Sequence, residues 1–169
     1  MEAVASIASD LTTAVAVLVG GVWAVVHFWK RRDLSPKIDL TASLDFFGAH
    51  GSEFMVEIQV QLENLGALRH KVSDLVYSLR ILRDDDPVVS DDRILGQVSF
   101  PHPVAERRRL FPSEWGYSFV DPGVKNTYRS VTTIPRDARF VLVSCRFTYG
   151  DRESDFHVSQ RVLPVPRSA

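Results

Sequence analysis

The stretch "KIDLTASLDFFGAHGSEFMVEIQVQLENLG" (residues 37–66) alternates apolar and polar residues with a period of two. Even positions of 38–46 and of 54–62 are apolar, and the odd positions between them are mostly polar. This period is typical of strands that bury one face. The intervening "GAHGS" (48–52) predicts a turn. The stretch therefore predicts an antiparallel hairpin at the start of an all-β domain.

The pattern continues beyond the hairpin. A third strand carries apolar residues at every second position from Leu75 to Ile81, and Val72 is out of phase with them, which predicts a β-bulge near Ser73 and Asp74. Further strands are predicted at 93–100, 126–134, 138–150 and 155–163. About seven short strands separated by turn signals predict an immunoglobulin-like antiparallel β-sandwich over residues 37–166, with a partly open β-barrel as the alternative.

The chain begins with a different kind of segment. Residues 11–29 contain no Asp, Glu, Lys or Arg and would span roughly 28 Å as a helix, which predicts a transmembrane helix behind a short extracytoplasmic tail (1–10). A basic juxtamembrane linker (30–36) follows, beginning with Lys30, Arg31 and Arg32. Such cations are retained on the cytoplasmic side. The sequence thus predicts a single-pass membrane protein that contacts membrane lipid, with its N-terminus outside and its β-domain in the cytoplasm.

Small residues recur every four positions in this helix, at Ala16, Gly20 and Ala24. Small side chains on one helix face allow another helix to approach closely. The row predicts that two copies of the chain pair through the helix. The alternative is that Ala and Gly are merely frequent in such segments.

Composition excludes several classes of function. The chain has 20 Lys and Arg against 21 Asp and Glu, a net charge of −1, so no basic field predicts binding to a nucleic-acid polymer. Cys145 is the single cysteine, which excludes an internal disulfide and fits a reducing compartment.

Motifs for catalysis or metal binding are missing from the sequence. The five histidines do not pair with each other or with Cys145 at zinc spacing. The aspartates of 84–92 lack the glycine and the ligand order of a helical calcium loop. Neither a phosphate-binding glycine loop nor a nucleophile elbow is present. The sequence therefore predicts a protein that is not an enzyme, with no catalytic residue, metal or cofactor.

The segment 101–123 departs from the strand pattern and reads as a long loop. It holds four prolines, three consecutive arginines and several aromatic residues. Long loops are often functional, and Arg with aromatic residues is typical of interfaces. The candidate contacts to a ligand or partner are Arg107, Arg108, Arg109, Trp115 and Tyr117. Alternatively, the arginines are only a solvated cluster, and the aromatic residues Phe111, Trp115, Tyr117 and Phe119 close one end of the sandwich as a lid.

Two functions follow from this organisation. The first is a non-enzymatic scaffold or accessory subunit that docks a cytoplasmic protein at the membrane. The alternative is a membrane effector, in a layout that resembles bacterial defence effectors. Its β-rich domain would sense a small ligand such as a nucleotide and drive oligomerisation of the helix. Arg107 to Arg109 would then be the first place to seek phosphate contacts.

Overall fold

A computed structural model describes residues 2–31, 37–91, 97–150 and 154–166. It contains one helix, α1 (Glu2–Arg31), and ten strands: β1 (Ile38–His50), β2 (Glu53–Asn64), β3 (His70–Arg83), β4 (Ser90–Asp91), β5 (Gln97–Val98), β6 (His102–Arg109), β7 (Tyr117–Val120), β8 (Lys125–Pro135), β9 (Ala138–Tyr149) and β10 (Phe156–Pro164). The helix and the β-domain are two separate compact units.

The strands form two main antiparallel sheets. The first sheet has the order β1-β2-β8, and the second has the order β10-β9-β3-β6, with β7 also paired to β3. This partition places β1, β2 and β8 as strands A, B and E, and β3, β9 and β10 as strands C, F and G, of an immunoglobulin-type sandwich. The predicted β-sandwich is confirmed. The barrel alternative is not formed, because no described strand pairing joins the two sheets.

The core lies between the sheets and is built by the alternating inward positions. On β2 and β9 these positions include Val56, Ile58, Val143 and Phe147, all fully buried. The outward residues of β2 are at least partly exposed. On the outer face of the second sheet, Leu82 and Leu142 form a small separate cluster with Phe100, which follows β5. The second sheet therefore carries apolar residues on both faces at one end.

The first hairpin and the bulge agree with the sequence prediction. β1 and β2 pair from Ile38 opposite Asn64 to His50 opposite Glu53, around a tight turn at Gly51. The register of β3 against β9 shifts between Ser73 and Val76, and Asp74 has a left-handed φ of 49°. An aspartate tolerates this conformation better than most residues. The bulge restores the inward phase of the rest of β3.

The irregular loop predicted over 101–123 is wrong, because this segment forms the strands β6 and β7. Pro103 and a break in the alternation hid β6, and β7 is only four residues long. In the predicted strand at 93–100, only β5 is described as a strand, and residues 92–96 lie outside the described residues.

The predicted transmembrane helix over 11–29 is also wrong. Among the described residues, none of the helical structure has both the length and the apolar character that crossing a bilayer requires. A span needs about 20 predominantly apolar residues across roughly 30 Å. The predicted single-pass topology and membrane localisation depended on this helix and are therefore wrong as well.

The predicted functional positions of α1 have different outcomes. The side chains of Lys30, Arg31 and Arg32 lie outside the described residues, so their role in orientation has no structural description. Ala16, Gly20 and Ala24 are exposed, and a Cβ placed on Gly20 would meet no atom within 4 Å. Large apolar side chains of the helix are exposed as well: Val15, Val17, Leu18, Val19, Val22, Trp23, Val25 and Val26. Pairing of two copies through the small-residue row stays a prediction.

Candidate partner-binding surface

Three consecutive arginines are exposed at the end of β6 because a bulge interrupts this strand. Tyr77 of β3 lies opposite Arg108, but Leu79 lies opposite Ala105, so the bulged segment includes Arg107. Arg107 adopts a left-handed φ of 46°, and its backbone N–H donates to the Ser78 hydroxyl at 3.1 Å. In a regular strand, alternate residues face opposite sides of the sheet. The bulge instead leaves Arg107, Arg108 and Arg109 all exposed.

The charges of these three arginines are not compensated. None forms an ion pair with another described residue, and Arg109 donates only to the backbone oxygen of Trp115, at 3.4 Å. Several other arginines of the domain each pair with an aspartate: Arg69 with Asp121, Arg83 with Asp137, and Arg139 with Asp84. The end of β6 is thus a concentrated positive charge available to an anionic group.

Exposed aromatic rings lie beside the arginines. Tyr117 and Phe119 occupy alternate positions of β7, with their ring centroids 5.4 Å apart in an edge-to-face arrangement. Trp115 is 52% exposed and Tyr117 49% exposed. Of the four aromatic residues of the predicted lid, Phe111 alone is buried, and its ring centroid lies 5.2 Å from that of Tyr128. The lid interpretation therefore holds for Phe111 and fails for the other three rings.

Two cations, one in β3 and one just before it, flank these rings. The Lys71 ammonium lies 4.5 Å from the centre of the Tyr117 ring, and the Arg69 guanidinium 5.3 Å from that of Phe119. Both distances are within the range of cation–π attraction. The hydrogen-bonded ion pair with Asp121 raises the pKa of Arg69. The rings are therefore held in place and leave part of their surface exposed.

Sequence reasoning missed a further arginine on the same face. Val76 of β3 has Arg109 opposite it on β6 and Arg146 opposite it on β9, so the three residues form a row across the outer face of the second sheet, here called the basic row. The Arg146 guanidinium lies 4.2 Å from the centre of the Phe156 ring. Arg146 was not a candidate because only the strand pairing brings it near Arg109. The signal in the sequence was a charge at an outward position of an otherwise apolar strand.

Two groups outside this surface, the Cys145 thiol and the Asp86 carboxylate, have shifted pKa values. Burial raises the pKa of the Cys145 thiol to about 12, which suppresses its nucleophilic form. Asp86 accepts hydrogen bonds from the Arg83 backbone N–H at 2.7 Å and shares one with His102 Nε2 at 2.8 Å. The backbone bond first, and then the histidine, lower the pKa of Asp86. This pair closes the turn after β3. Among the described residues, no group of three or more His, Cys, Asp or Glu side chains could hold a metal ion.

No protein-family model matches the chain, and neither does any curated protein. Among solved structures, the provisionally assigned ApaA protein of Bordetella pertussis is similar, with a TM-score of 0.47 and 12% identity over 79% of this chain and 97% of that chain. A structural-genomics target designated SoR45 has a TM-score of 0.43 and 13% identity over 76% and 87%. A protein from Archaeoglobus fulgidus has a TM-score of 0.35 and 8% identity over 79% and 100%. These values are too low to carry an argument about function.

Proposed function

We propose that this chain is a non-enzymatic docking module that binds an acidic segment of a partner protein through Arg107, Arg108, Arg109, Trp115 and Tyr117. One observation carries the proposal: a bulge with a left-handed arginine exposes three consecutive uncompensated cations beside half-exposed aromatic rings. Arginine, tyrosine and tryptophan are the residues most enriched at energetically important contacts between proteins.

The backbone of Arg107 supports a functional interpretation of the bulge. A left-handed conformation is unfavourable for an L-residue other than Gly, Asn or Asp, and such strain persists where the surrounding structure maintains it, often at binding sites. Charges and bulges also protect edge strands from pairing with other chains. Edge protection alone does not account for the adjacent exposed Trp115 and Tyr117, which would themselves promote association.

Affinity capture with the purified full-length chain tests the proposal. The wild type, the double variant Arg108→Glu/Arg109→Glu and the control Arg161→Glu are immobilised and exposed to extract at about 0.15 M salt. Arg161 is a suitable control because it is exposed on β10, at the opposite edge of the sheet. We expect a stoichiometric partner on the wild type and on Arg161→Glu that is absent from the double variant.

Reconstitution with the purified partner then measures affinity. Reversal of two charges is expected to weaken binding by at least tenfold, and added salt to weaken the wild-type complex. Equal capture by all three chains contradicts the proposal. The proposal is also contradicted if the double variant loses binding to a small phosphorylated ligand, measured by calorimetry, but still captures the same protein as the wild type.

A further inference from the structure

An apolar cavity of about 320 Å³ lies on the outer face of the second sheet, at the end away from β7. Leu82, Phe140 and Val162 of the sheet form one side, and Val98 of β5 and the flanking residues Val88 and Phe100 form the other. The remaining described lining residue is Gln97. This volume is at the lower end of the range of ligand pockets, and it can accept one large apolar side chain.

The walls of the cavity are fixed by contacts between distant parts of the chain. Leu82 lies opposite Phe140, and Val162 lies opposite Leu142, which is next along β9 on the same face. The Arg80 Nε–H donates to the Phe100 carbonyl at 2.7 Å and holds the hairpin against the sheet. The cavity is therefore built by the fold and is more than a gap beside a loop.

The edge of the cavity at Val162 is the part nearest the basic row, whereas Leu82 and Phe140 lie six residues along their strands from Val76 and Arg146. Val162 and Val158 are four residues apart on β10, and Val158 lies opposite Arg146. Four residues of extended strand span about 13 Å. Between them lies a polar row of Gln160, Ser144 and Ser78, with Gln160 Nε2 donating to the Ser144 hydroxyl at 3.4 Å.

An extended peptide that runs along this face would have the same spacing. Its side chains at positions i, i+2 and i+4 would face the sheet, about 13 Å from first to last. The apolar cavity, the polar row and the basic row complement an apolar, a polar and an acidic side chain in that order. Val162 (47% exposed), Val158 (41%) and Phe156 (51%) add apolar surface along β10.

We propose that the outer face of the second sheet binds an extended segment of the partner protein. In this complex one large apolar side chain fills the cavity, and a carboxylate four residues away binds Arg109 and Arg146. The inference rests on the proposed docking function and adds the recognition motif. Charge complementarity selects the occupant, because the basic row favours a carboxylate and the cavity excludes polar groups.

Synthetic peptides test the motif on the full-length chain. Labelled nine-residue peptides carry a leucine and a glutamate four positions apart, in either order along the peptide, and binding is followed by fluorescence anisotropy. For the order that binds, replacing leucine by alanine is expected to weaken binding to the wild type about tenfold. Moving the glutamate one position closer, to i+3 from the leucine at i, makes it face away from the sheet and is expected to weaken binding as well.

Two variants that fill the cavity locate the leucine. In Val162→Trp and in Val88→Trp, the leucine-to-alanine change in the peptide is expected no longer to weaken binding. In the control Val131→Trp, the same change is expected to weaken binding as much as it does in the wild type. Val131 is exposed on β8 in the first sheet, and Val88 is 74% exposed, so these substitutions leave the core intact. In Arg146→Gln, which leaves Arg109 in place, replacement of the peptide glutamate by glutamine is expected to weaken binding less than it does in the wild type.

Opposite results separate this inference from the proposed function. A leucine-to-alanine effect of equal size in Val162→Trp and in the wild type overturns the cavity assignment. Failure of every peptide to bind the wild type overturns the motif. In both cases, a protein partner that is lost on Arg108→Glu/Arg109→Glu leaves the docking function standing. Equal capture by all variants in that earlier experiment removes the basis of both proposals.

Discussion

At Arg107 the backbone conformation favours glycine, whereas the proposed binding surface requires the positive charge of arginine. A left-handed φ of 46° costs a non-glycine residue roughly 1 kcal/mol, and glycine adopts it freely. Glycine also loses about 0.5–1 kcal/mol more chain entropy on folding, which offsets this relief, so we expect Arg107→Gly to leave the free energy of unfolding nearly unchanged and to weaken partner binding. Urea denaturation measures the first effect, and the purified complex measures the second.

Arg108→Gly is the matched control for this prediction. Arg108 lies opposite Tyr77 in the paired part of β6, so glycine there removes charge without relieving a left-handed conformation. We expect this variant to lower the free energy of unfolding by about 0.5–1 kcal/mol. Equal losses for the two variants would show that Arg107 is not strained.

Cys145 is fully buried, and its thiol pKa of about 12 lies above the ordinary value of 9.0. A group whose folded pKa is raised contributes stability that is complete below its unfolded pKa and is lost as pH rises through the folded pKa. Stability should therefore fall between about pH 9 and about pH 12, and Cys145→Ala should reduce that fall. At pH 8 the native thiol should react with a maleimide only as fast as the chain unfolds. Rapid labelling of the folded chain would contradict the burial.

The end of β2 is connected to two other segments through the side chain of Asn64, which is fully buried. Its Nδ2 group donates to the carbonyl of Leu68 at 2.7 Å and to that of Val120 at 2.9 Å. Its Oδ1 accepts the N–H of Gly66 at 2.9 Å. One side chain thus fixes the loop after β2 to the end of β7.

Replacing Asn64 by leucine would leave these three backbone groups without their partner. A buried unsatisfied group costs about 1–3 kcal/mol, and the Val120 carbonyl is buried while the other two groups are part-buried. We therefore expect Asn64→Leu to lower the free energy of unfolding by about 2–3 kcal/mol, as measured by thermal or urea denaturation. The control Asn126→Ala removes one long contact of 3.5 Å at a partly exposed site, and its effect should stay within about 0.5 kcal/mol. Comparable losses would contradict the role of Asn64.

Helix α1 exposes apolar side chains along its described length. An apolar surface of this kind favours association, and close approach along Ala16, Gly20 and Ala24 would add dispersion contacts. We expect the full-length chain to associate through α1, and Gly20→Ile to weaken the association more than Val19→Ile. Sedimentation velocity over a range of concentrations measures both. Equal association of Gly20→Ile and the wild type would leave the small-residue row without a role.

The strands that sequence alone could locate are those with a regular period. The hairpin of β1 and β2 and the bulge near Asp74 were predicted because the apolar phase is visible in consecutive residues. β6 was missed because Pro103 and the bulge at Arg107 break that phase. The transmembrane prediction depended on the length of an uncharged run, and among the described residues no helix is both long and apolar enough to cross a bilayer.

For the molecule as a whole, sequence predicted the type of fold and part of the candidate surface. Arg107 to Arg109, Trp115 and Tyr117 are close in the sequence and lie together at one edge. The contribution of Arg146 and the cavity beneath the β4–β5 hairpin depend on strands that are distant in the sequence. Periodicity identifies which side of a strand is apolar, but strand order decides which surfaces become continuous.

The partition of the sheets also determines how fast the chain can fold. β2 pairs with β8 from Glu53 opposite Pro135 onward, and β3 pairs with β9, so much of the native structure joins residues far apart in sequence. Closing such loops costs chain entropy before the pairing compensates for it, and sandwiches of this kind fold in milliseconds to seconds. Stopped-flow refolding monitored by tryptophan fluorescence should show a phase in that range, and complete refolding within microseconds would contradict it. During this interval the strands β3 and β9, apolar on both faces at one end, are exposed, so dilute conditions should raise the yield of native protein.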